Sequence, residues 1–282
     1  MARLRIAVRV CMYNMRRLLT EYRAYTGMAL ALFAVVFYCN GVRDVCVHYS
    51  AGVSPVQVFT HLLSYPQANS FLYLGWITLM CDAPFVSDVQ ISVVMRSGRK
   101  EWFGGQMLYI LAMALLYWIS IAVMIAVMFI GYWGDFGDWG RVIHTLSVSS
   151  IKAHNIVSEK VMKSYSVFSA VSWTYLLHVG ASVLLALMMF WVNMVSNRNH
   201  GGVVAVIFAL FEMAFTGFGL SPQFYYFSPI TLSNLSTLDI QKVTYKPSDT
   251  YAAVFMLAGN VLLIAVCYII YRRSNVIASY EF

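Results

Sequence analysis

Long apolar runs dominate this chain, and they decide what it can fold into. A helix that crosses a bilayer needs about 20 mainly apolar residues. Six stretches qualify: roughly 24–41, 70–86, 105–132, 167–195, 203–220 and 251–271. The first two are short and rest partly on the overall pattern. The 282 residues are 60% hydrophobic and 11% charged, where a soluble domain carries about 25% charged residues. Too little charge remains to coat a water-exposed surface, so lipid must cover much of it. The expectation is an all-α membrane protein: a single transmembrane domain over residues 1–282 with six transmembrane helices.

The basic residues set the orientation. Arg3, Arg5, Arg9, Arg16, Arg17 and Arg23 precede the first span. Arg96, Arg99 and Lys100 lie between the second and third, Arg198 between the fourth and fifth, and Arg272 and Arg273 after the sixth. The remaining connections hold Arg43, then Arg141, Lys152, Lys160 and Lys163, then Lys242 and Lys246, spread over longer segments. The denser set should face the cytoplasm. Both termini are then inside, which requires an even number of spans. Nucleic-acid binding, the other reading of a net charge of +7, is disfavoured because the basic residues form no recognition face.

Residues 1–23 lack the short apolar core and cleavage site of a signal peptide. Leu4, Val8, Cys11, Met15, Leu18, Leu19 and Tyr22 follow helical spacing along one face. Arg5, Arg9, Arg16 and Arg23 cluster on a neighbouring flank. This describes an amphipathic helix in the membrane interface, its arginines among the phosphates, or a soluble helix packed on a partner. The connection 87–104 is short and basic, and Ser97-Gly98 should break or turn it. It is either an ordinary loop or a short helix, lined by Val89, Val93 and Val94, that docks on another protein. The segment 221–249 carries Pro222, Pro229, Pro247 and many aromatics, which suggests a folded outer cap. Asn234-Leu235-Ser236 matches a glycosylation sequon, a pattern common by chance.

Chemistry-bearing motifs are absent. The sequence contains no HExxH, no GxSxG and no phosphate-binding GxxxxGK[ST] loop. Cys11, Cys39, Cys46, Cys81 and Cys267 show no CxxC spacing, so no metal site is expected. Cys39 and Cys46 are either a disulfide near the outer face or two unrelated thiols. Polar residues within the spans remain, because burying them in lipid is costly. Glu212 is centred in the fifth span, His178 in the fourth and Asn260 in the sixth. Each is a pathway or gating residue or a structural hydrogen bond between helices, and Glu212 and His178 are a candidate pair. Asp82 near the inner end of the second span either caps the next helix or pairs with an arginine. Pro84 should end that span.

This order resembles the membrane subunit of bacterial ABC transporters of the ABC-2 exporter type. The stretch CDAPFVSDVQISVVMRSGRKEWFGGQMLYI carries most of the likeness. There the second span ends, a cytoplasmic coupling helix follows, and the third span begins. The resemblance implies a plasma-membrane permease working as a pair of membrane subunits, identical or related. It implies cytoplasmic ATPase partners that bind ATP and Mg, while this chain binds no cofactor and catalyses nothing itself. Val89, Arg96, Arg99, Lys100, Glu101 and Trp102 would form the ATPase contact or its support. Residues 221–249 would hold short re-entrant helices. The substrate would be a hydrophobic or amphipathic peptide, lipid or drug. The rival readings are a stand-alone proton-coupled transporter or channel working through Glu212, and an intramembrane enzyme using Glu212 and His178.

Overall fold

The computed structural model describes residues 2–83, 88–134, 137–148, 157, 159–196, 200–218, 222–241 and 244–273. Among them every regular element is a helix: α1 (Ala2–Thr20), α2 (Tyr22–Tyr49), α3 (Pro55–Leu63), α4 (Pro66–Met80), α5 (Asp88–Ser97), α6 (Arg99–Met128), α7 (Arg141–Val148), α8 (Glu159–Ser164), α9 (Val167–Ser196), α10 (Gly201–Phe218), α11 (Pro229–Ser233) and α12 (Asp249–Arg273). Short 3-10 turns, Pro222–Tyr226 and Leu235–Thr237, flank α11.

Among the described residues, four helices are long and apolar enough to cross a membrane: α2, α6, α9 and α12. The shortest of them has 25 residues, about 38 Å at 1.5 Å per residue against about 30 Å of hydrocarbon. The described helices at the expected second and fifth spans are shorter. α4 has 15 residues and α10 has 18. The second differs from expectation for a local reason. Pro55 and Pro66 each open a helix, and Tyr65 between them is extended, as a residue before proline prefers. The apolar run is thereby cut into α3 and α4, and α4 begins before position 70. Pro84 and Arg198, on which parts of the sequence reading rest, lie outside the described residues, as do Lys152 and Lys242.

Gly98 turns the chain between α5 and α6 with φ +86°, a conformation open mainly to glycine. The break expected at Ser97-Gly98 is therefore present. Two close helix approaches also depend on glycine. A Cβ on Gly27 of α2 would stand 2.7 Å from the Gly75 carbonyl oxygen of α4, and a Cβ on Gly75 would stand 2.7 Å from that of Gly27. On α6, a Cβ at Gly105 would stand 2.6 Å from the Cβ of Val10. So α1 lies tightly on α6, burying Ala7, Val10, Cys11, Asn14 and Leu18. Leu4, Val8, Leu19 and Tyr22 of the expected apolar face are exposed, as are Arg5, Arg9 and Arg16. The buried stripe is rotated because a small-residue surface on α6 admits Ala7 and Val10 most closely.

α9 is central, packing on α3, α4, α6, α10, α11 and α12. α11 is sunk among its neighbours, with Ile230, Leu232 and Ser233 wholly buried. Asn234 is buried too. Its amide donates to the Ser64 carbonyl at 3.1 Å and accepts from the Ser236 N–H at 3.0 Å, so the sequon faces inward and offers no glycan acceptor. Cys39 and Cys46 are free, buried thiols. Both sit on α2, and seven residues of helix separate them by about 10 Å, beyond the roughly 7 Å limit of a disulfide.

Candidate functional site

The buried polar residues gather where α4, α9 and α10 meet. Asn69, His178 and Glu212 are each 0% exposed. Asn69 stands in the first turn of α4, and its Nδ2 donates to the Leu63 carbonyl at 3.0 Å, closing the break between α3 and α4. Its Oδ1 lies 3.2 Å from His178 Nε2. His178 Nδ1 lies 2.7 Å from the Thr174 carbonyl, one turn back on α9. The carboxyl of Glu212 interacts with the same Asn69 amide. The histidine and the acid are therefore brought into one cluster, with Asn69 between them.

Aromatic side chains wall this cluster. The Tyr73 ring stacks on the His178 ring with centroids 6.0 Å apart, and Trp118 meets it edge to face at 4.8 Å. Each polar edge of the wall has a partner. Trp118 Nε1 donates to Ser182 Oγ at 2.8 Å, Trp76 Nε1 to the Ser182 carbonyl at 2.9 Å, and Tyr73 to Ser233 Oγ at 2.9 Å. The last bond ties the sunken α11 to α4. Asn260 is not part of the cluster. Its Nδ2 donates to the Gly180 carbonyl at 3.0 Å, joining α12 to α9 beside an apolar groove of about 630 Å³ lined in part by Leu4, Gly104 and Leu187.

A second constellation forms at the end of the bundle that carries α1 and α5. Arg96, Arg99 and Lys100 are exposed there. Glu101 pairs with Arg3 of α1 at 3.6 Å. Trp102 is 1% exposed and stacks on Tyr271 of α12 at 5.5 Å, while the Tyr271 hydroxyl donates to the Arg99 carbonyl at 2.8 Å. Trp102 thus braces the start of α6 from within. Val89 lies on α5, and its side chain is outside the described residues.

Beside this knot, the turn at residues 81–83 that follows α4 is clamped twice. Asp82 pairs with Arg23 of α2, so Arg23 serves an ion pair and stands apart from the exposed Arg5, Arg9 and Arg16. From α9, Asn193 Nδ2 donates to the Cys81 and Ala83 carbonyls at 2.8 and 2.7 Å, and its Oδ1 accepts from the Gly201 N–H at 2.7 Å. One amide thereby joins the turn after α4, α9 and α10 with three of its four possible hydrogen bonds.

No family model matches the chain, and no curated protein or solved structure does either. The reading of the site therefore rests on its geometry alone. Among the described residues, no three His, Cys, Asp or Glu side chains are grouped to hold a metal.

Asn69, Asn193, Ser182 and Trp76 were not singled out by the sequence. Asn69 falls one residue before the expected second span, so it reads as part of a connection. Its signal was Pro66: proline favours the first turn of a helix, which would have put Asn69 inside. Asn193 lies within the last turn of an apolar run, where an amide marks an interhelical bond.

Proposed function

We propose that this chain is the membrane-spanning subunit of an ATP-driven exporter of the ABC-2 type, working as a pair of membrane subunits with separate cytoplasmic ATPases. The observation that carries the reading is the short helix α5, set between α4 and α6 beside the exposed Arg96, Arg99 and Lys100. Its neighbours on both sides are braced: α4 through Arg23–Asp82 and Asn193, α6 through Trp102–Tyr271 and α1. A push on α5 would reach several helices at once, as a docking helix driven by a nucleotide-dependent partner requires.

The six-span arrangement belongs to the same proposal. The contacts bring the starts of α2, α6 and α10 to the ends of α4, α9 and α12, so six segments alternate in direction. α3 and α4 together supply the second crossing, and α10 the fifth. Both termini then lie in the cytoplasm of a plasma-membrane protein, and the sunken α11 fits a re-entrant segment before the sixth crossing. The substrate class is a hydrophobic or amphipathic molecule, with Glu212, His178 and Asn260 as pathway or gating residues. One observation favours a second reading, a proton-coupled transporter: the acid and histidine joined through Asn69 in the bundle interior.

Purification in mild detergent with identification of bound proteins tests the proposal. A stoichiometric P-loop ATPase that is lost when Arg96, Arg99 and Lys100 become Gln is the expected result. A chain recovered alone from several detergents, with transport driven by a pH gradient and no nucleotide, overturns it.

A further inference from the structure

The His178 ring faces two hydrogen-bond acceptors, the Thr174 carbonyl at Nδ1 and Asn69 Oδ1 at Nε2. A neutral imidazole has one donor nitrogen and one acceptor nitrogen, so it can satisfy only one of them. Turning the Asn69 amide over does not help. Its Nδ2 donates to the Leu63 carbonyl, and the exchange would set oxygen against oxygen there. The second proton on Nδ2 is available to the Glu212 carboxyl, which interacts with that amide. Asn69 is thus oriented from two sides, and an imidazolium satisfies every contact.

The surroundings fit a cation. The face of Tyr73 stacks on the ring, and aromatic faces attract positive charge. A lone charge buried this deeply would be costly, and an opposite charge with additional hydrogen bonds offsets that cost. Glu212, wholly buried on α10, supplies the opposite charge. Among the described residues, the phenols of Tyr73 on α4 and Tyr225 in the first 3-10 turn interact electrostatically with Glu212, and Tyr117 on α6 lies behind Tyr73.

We propose that His178, Asn69 and Glu212 form a buried proton-binding site, with the proton on the imidazole, the carboxyl of Glu212 ionised, and Asn69 bonded to both charges. Movement of this proton to Glu212 breaks an N–H bond, forms an O–H bond and leaves two neutral side chains, with no outside reactant. Asn69 favours the ionic form because it bonds to both charges, and withdrawal of α4 favours the neutral form. The site lies within the folded chain itself and needs no ATPase partner.

The test is nitrogen-15 NMR of ring-labelled histidine in the whole chain, held in lipid nanodiscs at neutral pH. The His178 signals are assigned by their loss in His178→Gln. Both ring nitrogens protonated, with conversion to a neutral ring in Glu212→Gln, is the expected result. A neutral ring in the unaltered chain overturns the proposal, and so does an imidazolium that Glu212→Gln leaves unchanged. Where a single variant does not fold, His178→Gln/Glu212→Gln is compared with each single. Recovery of monodisperse protein in the double variant supports the charge pair, and a double variant no better than the singles overturns it.

Discussion

Asn193 holds the carbonyl of Ala83 at 2.7 Å, so the turn that follows α4 is fixed from a helix 110 positions away in sequence. The same amide also serves Cys81 and Gly201. Asn193→Ala removes three hydrogen bonds at once and leaves their backbone partners to find others. At about 1 kcal/mol per bond, the folded chain should lose about 3 kcal/mol. Asn193→Asp should be at least as damaging, since a carboxylate would face two carbonyl oxygens. Thermal unfolding followed by fluorescence-detected size exclusion measures both. A midpoint unchanged in Asn193→Ala would show that the clamp contributes nothing.

Gly105 admits α1 onto α6. Gly105→Val puts a branched side chain where Val10 and Ala7 now sit and should lift α1 away. Cys11 is 7% exposed on that face, so its labelling by a maleimide should accelerate in the variant. Cys81, the less buried thiol, is replaced by Ser in both chains. Equal labelling rates would mean that α1 stays in place.

Trp102 and its basic neighbours should separate stability from partner contact. Trp102→Ala empties a wholly buried site and should cost about 3–5 kcal/mol. Arg96→Gln with Lys100→Gln alters exposed side chains and should stay within about 0.5 kcal/mol of the parent, while abolishing retention of the proposed ATPase partner. Chemical unfolding and co-purification on the same samples read the two effects. Loss of stability in the Gln variants would move these residues from contact to scaffold.

Tyr165 joins the connection before α9 to α12 by donating to Asp249. Burial first, then the bond to Asp249, raises its phenol above the usual tyrosine value. For a raised group, the contribution is complete below the unfolded value of about 10 and is lost only as pH rises through the folded value. Tyr165→Phe should lower stability by about 1 kcal/mol, with a gap that stays constant from about pH 7 to about pH 10. Unfolding midpoints across that range test it, and a gap closing near neutrality would contradict the assignment.

Much of the fold is legible in apolar run length. α6, α9 and α12 fall where the runs predict, and Gly98 turns the chain where Ser97-Gly98 does. α3 is hidden because Pro55 and Pro66 divide a run that is too short to read as two helices. The site is half legible. Glu212 and His178 are conspicuous because charge is rare in apolar sequence, and their partnership with Asn69 is not, because Asn69 borders a connection. The face of α1 that is buried is set by Gly105, 95 residues after Val10, and no local periodicity carries that information.

The Gly27–Gly75 crossing gives α4 a fulcrum. Backbone meets backbone there, with the Leu79 side chain against Gly27 and the Tyr117 hydroxyl beside Gly75. Asn69 lies six residues to one side of Gly75 and Cys81 six to the other, about 9 Å each way at 1.5 Å per residue. The two arms are equal. A sideways displacement imposed at the Cys81 end of the lever arrives at Asn69 reversed in direction and undiminished in size.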